Sequence, residues 1–299
     1  MIRLLAALAA VMLSGCSLFF GSGDDRDEHV NDRNPGRCYA DFLDKKFDEA
    51  FVSCSGIDDP EALYDVAWMY SRGKGTDRNL PKARVLMQKA AQGGYTEAMQ
   101  ELGLMYDSGI GGKQDYEKAF FWYSRAAEHN SVAAMNSLAS LYYCGDGVKQ
   151  DFNRSFFWSE KAASGGSAEG MFNMGRLLES GRIADPAVRE KDPDYWYRRA
   201  AELKYPEAVF TVDRKSYEKS GSPGDLSEIK RAARLGSSAA ALYIGKLTEK
   251  REGSGSVDAY CWYDFAVVLG NTEAAELKNQ IVLGWDKSKL LEAEEQCGN

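Results

Sequence analysis

Residues 97–132 read EAMQELGLMYDSGIGGKQDYEKAFFWYSRAAEHNSV, and residues 133–168 read AAMNSLASLYYCGDGVKQDFNRSFFWSEKAASGGSA. Set one above the other, Ala98 falls on Ala134, Tyr106 on Tyr142, Gly109 on Gly145 and Gly111 on Gly147. Asp115 falls on Asp151, Trp122 on Trp158, and the pair Ala126-Ala127 on Ala162-Ala163. The offset is 36 residues throughout. Self-similarity at a fixed period of about 20 to 50 residues is the mark of stacked supersecondary units.

The pattern extends in both directions. Ala90-Ala91 precede the first pair by 36 residues, and Ala200-Ala201, Ala232-Ala233 and Ala266-Val267 follow at intervals of 38, 32 and 34. A second small-residue marker keeps step at Ala62, Ala98, Ala134, Gly170, Ala208, Ala240 and Ala274. Within a unit, Ala98, Leu102, Met105 and Tyr106 recur at helical spacing, and so do Ala119, Trp122, Tyr123, Ala126 and Ala127 after a glycine-bearing loop. Each unit is therefore expected to be two helices, with alanines where backbones approach and aromatics in the wider gaps. Asn79, Asp115 and Asp151 stand where an N-cap precedes each second helix. Gly94, Asn130, Gly166, Gly236 and Gly270 stand where a left-handed residue ends it, and Lys204 is the exception.

These residues resemble Sel1-like repeats, relatives of the tetratricopeptide family. Residues 97–132 match best, 133–168 nearly as well, and coverage runs over about 61–272 as roughly six units. The fourth unit carries a loop insertion around Asp185-Pro186, and the fifth is shortened, with Ser222-Pro223-Gly224 in its loop. The resemblance implies an all-α, right-handed α-solenoid that binds proteins, and it implies no catalytic activity. Residues 37–60 read as an N-terminal capping hairpin turning at Lys45-Lys46, and 273–299 as C-terminal capping helices around Trp285. Length alone, at 299 residues, suggests about two domains; the period replaces them with one array.

The chain opens with Arg3, an apolar run over Leu4 to Leu13, then Ser14-Gly15-Cys16. That run is too short to span a bilayer well and reads as a secretory signal over 1–15. Leu13-Ser14-Gly15-Cys16 resembles the lipobox of bacterial lipoproteins. The resemblance implies cleavage before Cys16 and acylation of it, and Ser17 implies sorting to the outer membrane, facing the periplasm. An ordinary cleaved signal is the alternative. Residues 16–36, with Gly21-Ser22-Gly23 and an acidic run at 24–28, read as a lipidated flexible tether.

Thirty-seven basic and 45 acidic residues give a net charge of −8, which lacks the footprint of a nucleic-acid binder. The two histidines, His29 and His129, fall in the tether and in a helix-ending turn. No nucleophile elbow, phosphate loop or zinc-protease pattern is present, so no catalytic residue, metal or cofactor is expected. Cys38 and Cys54, eight residues either side of Lys46, face each other in a hairpin and are expected to form a disulfide, the alternative being two buried thiols. Cys261 and Cys297 are a second candidate pair, and Cys144 is expected to remain free. Gln100, Asn136, Tyr143 and Asn173 are the candidate partner-binding residues of the first-helix groove. The expected function is a scaffold or adaptor for protein partners of the cell envelope. A surface-displayed binder of host or environmental molecules is the alternative, and a cell-wall-acting enzyme a lesser one.

Overall fold

The computed structural model of the protein describes residues 37–189, 191–220 and 226–298. Among them every regular element is an α-helix. The signal, Cys16 and the tether lie outside the described residues. Where the period suggests one uninterrupted array, backbone contacts divide the chain at Gly165 and Gly166 into two compact bodies.

The first body begins with the short hairpin α1 (Arg37–Leu43) and α2 (Phe47–Cys54). Three longer hairpins follow: α3 (Pro60–Arg72) with α4 (Leu80–Gln92), α5 (Thr96–Asp107) with α6 (Tyr116–Glu128), and α7 (Val132–Cys144) with α8 (Phe152–Ser164). Each first helix packs along its own second helix, and α4 and α6 pack in turn on α5 and α7. The caps form as the sequence predicts. Asn79 accepts from the Lys82 N–H, Asp115 from that of Lys118, and Asp151 from those of Asn153 and Arg154, all at 3.0 Å. The alanine markers Ala62, Ala98 and Ala134 are fully buried, as are Ala90 and Ala126. Helices close over them because nothing larger than a methyl intervenes, and overpacking such a site costs about 1–3 kcal/mol.

The loop glycines set how tightly hairpins stack. Gly75, Gly111 and Gly147 all hold positive φ. A side chain there would also run into the backbone at the start of the preceding second helix, at Phe47, Leu80 and Tyr116 respectively. Glycine is thus required twice over, for conformation and for approach.

The second body runs through α9 (Ala168–Glu179), the short α10 (Pro186–Arg189), α11 (Pro193–Glu202), α12 (Pro206–Ser220), α13 (Ser227–Arg234), α14 (Ser238–Glu252), α15 (Val257–Val268), α16 (Thr272–Val282) and α17 (Lys287–Gly298). Helix α10 occupies the insertion expected at Asp185-Pro186. Lys204 is exceptional only in its side chain: its φ of 60° is left-handed like that of Asn130 and of Gly94, Gly166, Gly236 and Gly270. Ala208, Ala232, Ala240, Ala266 and Ala274 are fully buried, so the register persists to the last units.

Cys38 and Cys54 stand at disulfide distance, Cα–Cα 4.7 Å, tying α1 to α2. Cys261 and Cys297 do so at 5.1 Å, tying α15 to α17. The expectation of a free Cys144 is corrected, since no cysteine among the described residues is free. Cys144 ends α7 and is half-buried.

Candidate functional site

Three hairpins share a core module that repeats with the period. In α5, Gly103 lies against the ring of Tyr123 on α6, so closely that a Cβ would stand 2.6 Å from two ring carbons. Gly175 of α9 meets Tyr197 of α11 in the same way, and Gly245 of α14 meets Tyr263 of α15. The missing side chain lets the ring lie flat on the first helix. One helical turn beyond each glycine stands an acid that accepts a hydrogen bond from the tyrosine hydroxyl. Tyr123 donates to Asp107 at 3.4 Å, Tyr197 to Glu179 at 2.7 Å and Tyr263 to Glu249 at 2.6 Å. Where the module is absent, both partners change together. Ala67 lies in the glycine register with Met87 in the tyrosine register, and Ala139 with Ser159. Ser155 donates to the Ala139 carbonyl at 2.7 Å, and Ser159 to that of Ser155 at 2.8 Å.

The acids of this module are tuned by their surroundings. Burial pushes Asp107 up to about 6, with Asp146 adding to the rise and the Tyr123 bond opposing it. For Glu179 burial acts in the same direction, but the Lys215 ammonium and the Tyr197 hydroxyl hold it below the usual range. Burial and the bond to Glu179 push Tyr197 far up. These groups are hydrogen-bonded inside hairpins, so the chemistry they perform is structural.

A second recurring contact joins one unit to the next. Tyr64 of α3 stacks on Tyr95, the residue that opens α5, with centroids 5.1 Å apart. Phe172 of α9 stacks on Tyr205, before α12, at 5.3 Å. In the same register Gln100 accepts from the Ser131 hydroxyl at 2.9 Å, and that hydroxyl caps α7 by accepting from the Ala134 N–H. An aromatic residue meets an aromatic, and an amide meets a hydroxyl.

This contact decides the fate of the predicted groove residues. Gln100 is held at the joint between units. Asn136, in the same register, is only 8% exposed, so its assignment to a partner-binding surface is corrected: its place on α7 turns inward. Tyr143 is half-buried and packs edge-on against Phe152 at 5.5 Å. It stands where Asp107 stands one unit earlier. Asn173 is half-buried, in register with Glu101 of α5 and Ser137 of α7, which are half-buried as well. In the first body this register gives α5 and α7 half-buried polar side chains, while its α3 member, Asp65, is buried. The structure does not gather the four predicted residues into one site. His129 is an exposed cap at the end of α6. Among the described residues no group of three or more His, Cys, Asp and Glu side chains is arranged to hold a metal, and no helix is long and apolar enough to cross a membrane.

The family model described as Sel1 repeat matches residues 60–95, 96–131, 132–167, 168–193 and 195–205. The chain carries Sel1 repeats across residues 60–205. The first four matched segments each begin at a first helix, and fully buried alanines continue past residue 205 at Ala208, Ala232, Ala240, Ala266 and Ala274. A Sel1 repeat protein from Oxalobacter formigenes is 27% identical, over 82% of this chain and 75% of its own, with a TM-score of 0.60. A protective antigen of uropathogenic Escherichia coli strains displaying an SLR fold is 22% identical, over 87% of this chain and 68% of its own, with a TM-score of 0.38. The immunity protein Pa5087 from Pseudomonas aeruginosa is 20% identical, over 74% of this chain and 81% of its own, with a TM-score of 0.45. No curated protein matches the chain. Sel1-repeat solenoids are typically protein-interaction scaffolds, and this chain has that architecture.

Proposed function

We propose that the chain is a lipid-anchored adaptor of the bacterial cell envelope that holds protein partners on the first-helix faces of its Sel1 repeats. The observation that carries the binding half of this reading is the repeating register through Glu101 and Ser137 of the first body. It gives successive first helices half-buried polar side chains, of which Ser137 is also hydrogen-bonded to the Tyr123 hydroxyl of the preceding hairpin. Helical repeats recognise partners through such serial positions. The envelope half is supported by Leu13-Ser14-Gly15-Cys16 and by two cysteine pairs at disulfide distance, a chemistry that oxidising compartments favour.

Affinity capture of the full chain from detergent-solubilised envelopes tests the binding half. The expected result is a specific envelope protein that is lost with the double variant Glu101→Lys and Ser137→Arg. A partner retained by that variant refutes the assignment of the face. The anchor is tested separately by the mass of the mature N-terminal peptide. An unlipidated Cys16 ends the anchor reading whatever the capture shows.

A further inference from the structure

The second helices of the first body carry a surface pattern that neither the hairpin cores nor the joints use. Val85 on α4, Phe121 on α6 and Phe157 on α8 are 36 residues apart and 57%, 49% and 47% exposed. Phe121 stands edge-on to Trp122 with centroids at 5.0 Å, and Phe157 to Trp158 at 5.2 Å. One side of each ring is thereby held and the other is left outward. The same register recurs in the second body at Tyr195, which is 50% exposed.

Each of the three apolar residues is bracketed by cations on its own helix face. One turn ahead stand Lys89, Arg125 and Lys161, and three residues back stand Lys82, Lys118 and Arg154, all exposed. The rear row leans over first-helix tyrosines: Lys82 is 4.3 Å from the ring centroid of Tyr70, Lys118 5.3 Å from that of Tyr106, and Arg154 5.5 Å from that of Tyr142. The forward row is more loosely held, with Arg125 at 4.0 Å from Glu128 and Lys161 at 5.7 Å from the Phe157 ring centroid.

Charge is divided between the two helix sets. Helices α4, α6 and α8 carry seven basic residues against three acids, Glu117, Glu128 and Glu160. Helices α3, α5 and α7 carry one basic residue against five acids. The chain as a whole is at −8, so the basic face runs against its own average. Caps and alanine packing do not require this segregation.

We propose that the second-helix face of the first body docks on an anionic lipid surface. A row of apolar side chains between two rows of cations has the composition of an interfacial amphipathic helix, spread over three helices. The outward edges of Phe121 and Phe157 enter the headgroup region, and the flanking cations meet lipid phosphates. Lys118 and Arg154 also pair with the capping Asp115 and Asp151, at 2.8 Å and 3.8 Å, so the forward row carries most of the attraction, while acids farther off are screened beyond about 8 Å at physiological ionic strength. An acylated Cys16 would keep the body beside such a surface, but the face binds or fails through its own residues.

The test uses the full chain carrying Cys16→Ser, so that no acyl chain contributes. It is mixed with phosphatidylcholine vesicles, with or without about a third phosphatidylglycerol, and co-sedimented over a range of salt. Partition into the anionic vesicles is expected to exceed that into neutral ones by about tenfold or more and to fall with salt, each cation near the surface counting for roughly fivefold. The triple variant Lys89→Glu, Arg125→Glu and Lys161→Glu is expected to lower it by about thirtyfold or more. The double variant Phe121→Ser and Phe157→Ser should weaken binding while leaving its salt dependence in place. Glu97→Gln, on a first helix, should change it by no more than about twofold. Circular dichroism checks the fold of every variant. Equal partition into both vesicle types, or an unaffected charge-reversal variant, overturns the proposal. So does a face that ignores vesicles while binding a fluorescent acidic amphipathic peptide, which would make its partner a protein. None of these results depends on whether wild-type Cys16 is acylated.

Discussion

Replacing Gly175 with alanine tests the core module directly, because intrinsic propensity and packing point in opposite directions. In an exposed helix interior, glycine to alanine stabilises by about 1 kcal/mol. Here the added Cβ would stand 2.7 Å and 2.8 Å from two carbons of the Tyr197 ring, whereas carbon atoms rest at about 3.5–4.0 Å. The ring must retreat by about 1 Å. Tyr197 is only 1% exposed, so it retreats against packed neighbours. The same movement draws its hydroxyl away from Glu179, now 2.7 Å away. Overpacking of this kind costs about 1–3 kcal/mol and a weakened bond to a charged acceptor about 1 more, against the gain of about 1 in propensity. The net expectation is a destabilisation of about 2 kcal/mol. Urea unfolding measures it, and native-state hydrogen exchange in α9 and α11 localises it. Adding Tyr197→Met, the residue found opposite Ala67, should recover about 1 kcal/mol as a coupling between neighbours. A Gly175→Ala variant as stable as the parent, or one not helped by the second change, refutes the steric reasoning.

Other consequences can be checked in parallel. Burial pushes Glu207 up to about 7, with Ser237 opposing the rise, so the folded chain holds this proton more tightly than the unfolded one. Its contribution to stability is therefore greatest in mild acid and is lost as pH rises from about 4.5 to 7; Glu207→Gln should flatten that slope and add about 2 kcal/mol at pH 8, read from melting curves. Lys204→Gly relieves a left-handed residue at φ 60° and should stabilise the second body by about 0.5 kcal/mol, measured by urea unfolding. Non-reducing peptide maps should link Cys38 to Cys54 and Cys261 to Cys297. Reduction should cost roughly 3 kcal/mol at the first pair and somewhat more at the longer second loop.

The parts of the fold that the sequence disclosed are those fixed by local backbone needs. Ala98, Asp115 and Gly111 each answer a requirement that recurs every unit, so the period displayed them. The joints were hidden for a physical reason. Gln100 and Tyr64 occupy one register but belong to opposite chemical classes. Read singly, an amide suggests solvent and an aromatic suggests core. Only the partner across the joint, Ser131 or Tyr95, shows that both do the same work. The tyrosine–acid module left a fainter trace: Tyr123, Tyr197 and Tyr263 each follow a tryptophan, and Gly103, Gly175 and Gly245 each precede an acid by four residues. The outward register of Val85, Phe121 and Phe157 was legible as a repeat. Its exposure was not, because periodicity assigns a position on a helix and not the presence of a neighbour to cover it.

The joint also bears on how such an array grows. The matched repeats run 60–95 and 96–131, so each ends on the residue that closes its own joint, Tyr95 for Tyr64 and Ser131 for Gln100. Both halves of the connector are inherited together. A unit duplicated or lost at these boundaries leaves every remaining joint matched, aromatic on aromatic or amide on hydroxyl, whatever its new neighbour. The same exchange made one residue earlier would separate each pair and leave a tyrosine facing a serine. The cassette that recombination can move without penalty thus has a defined edge, just after the capping residue of the following helix.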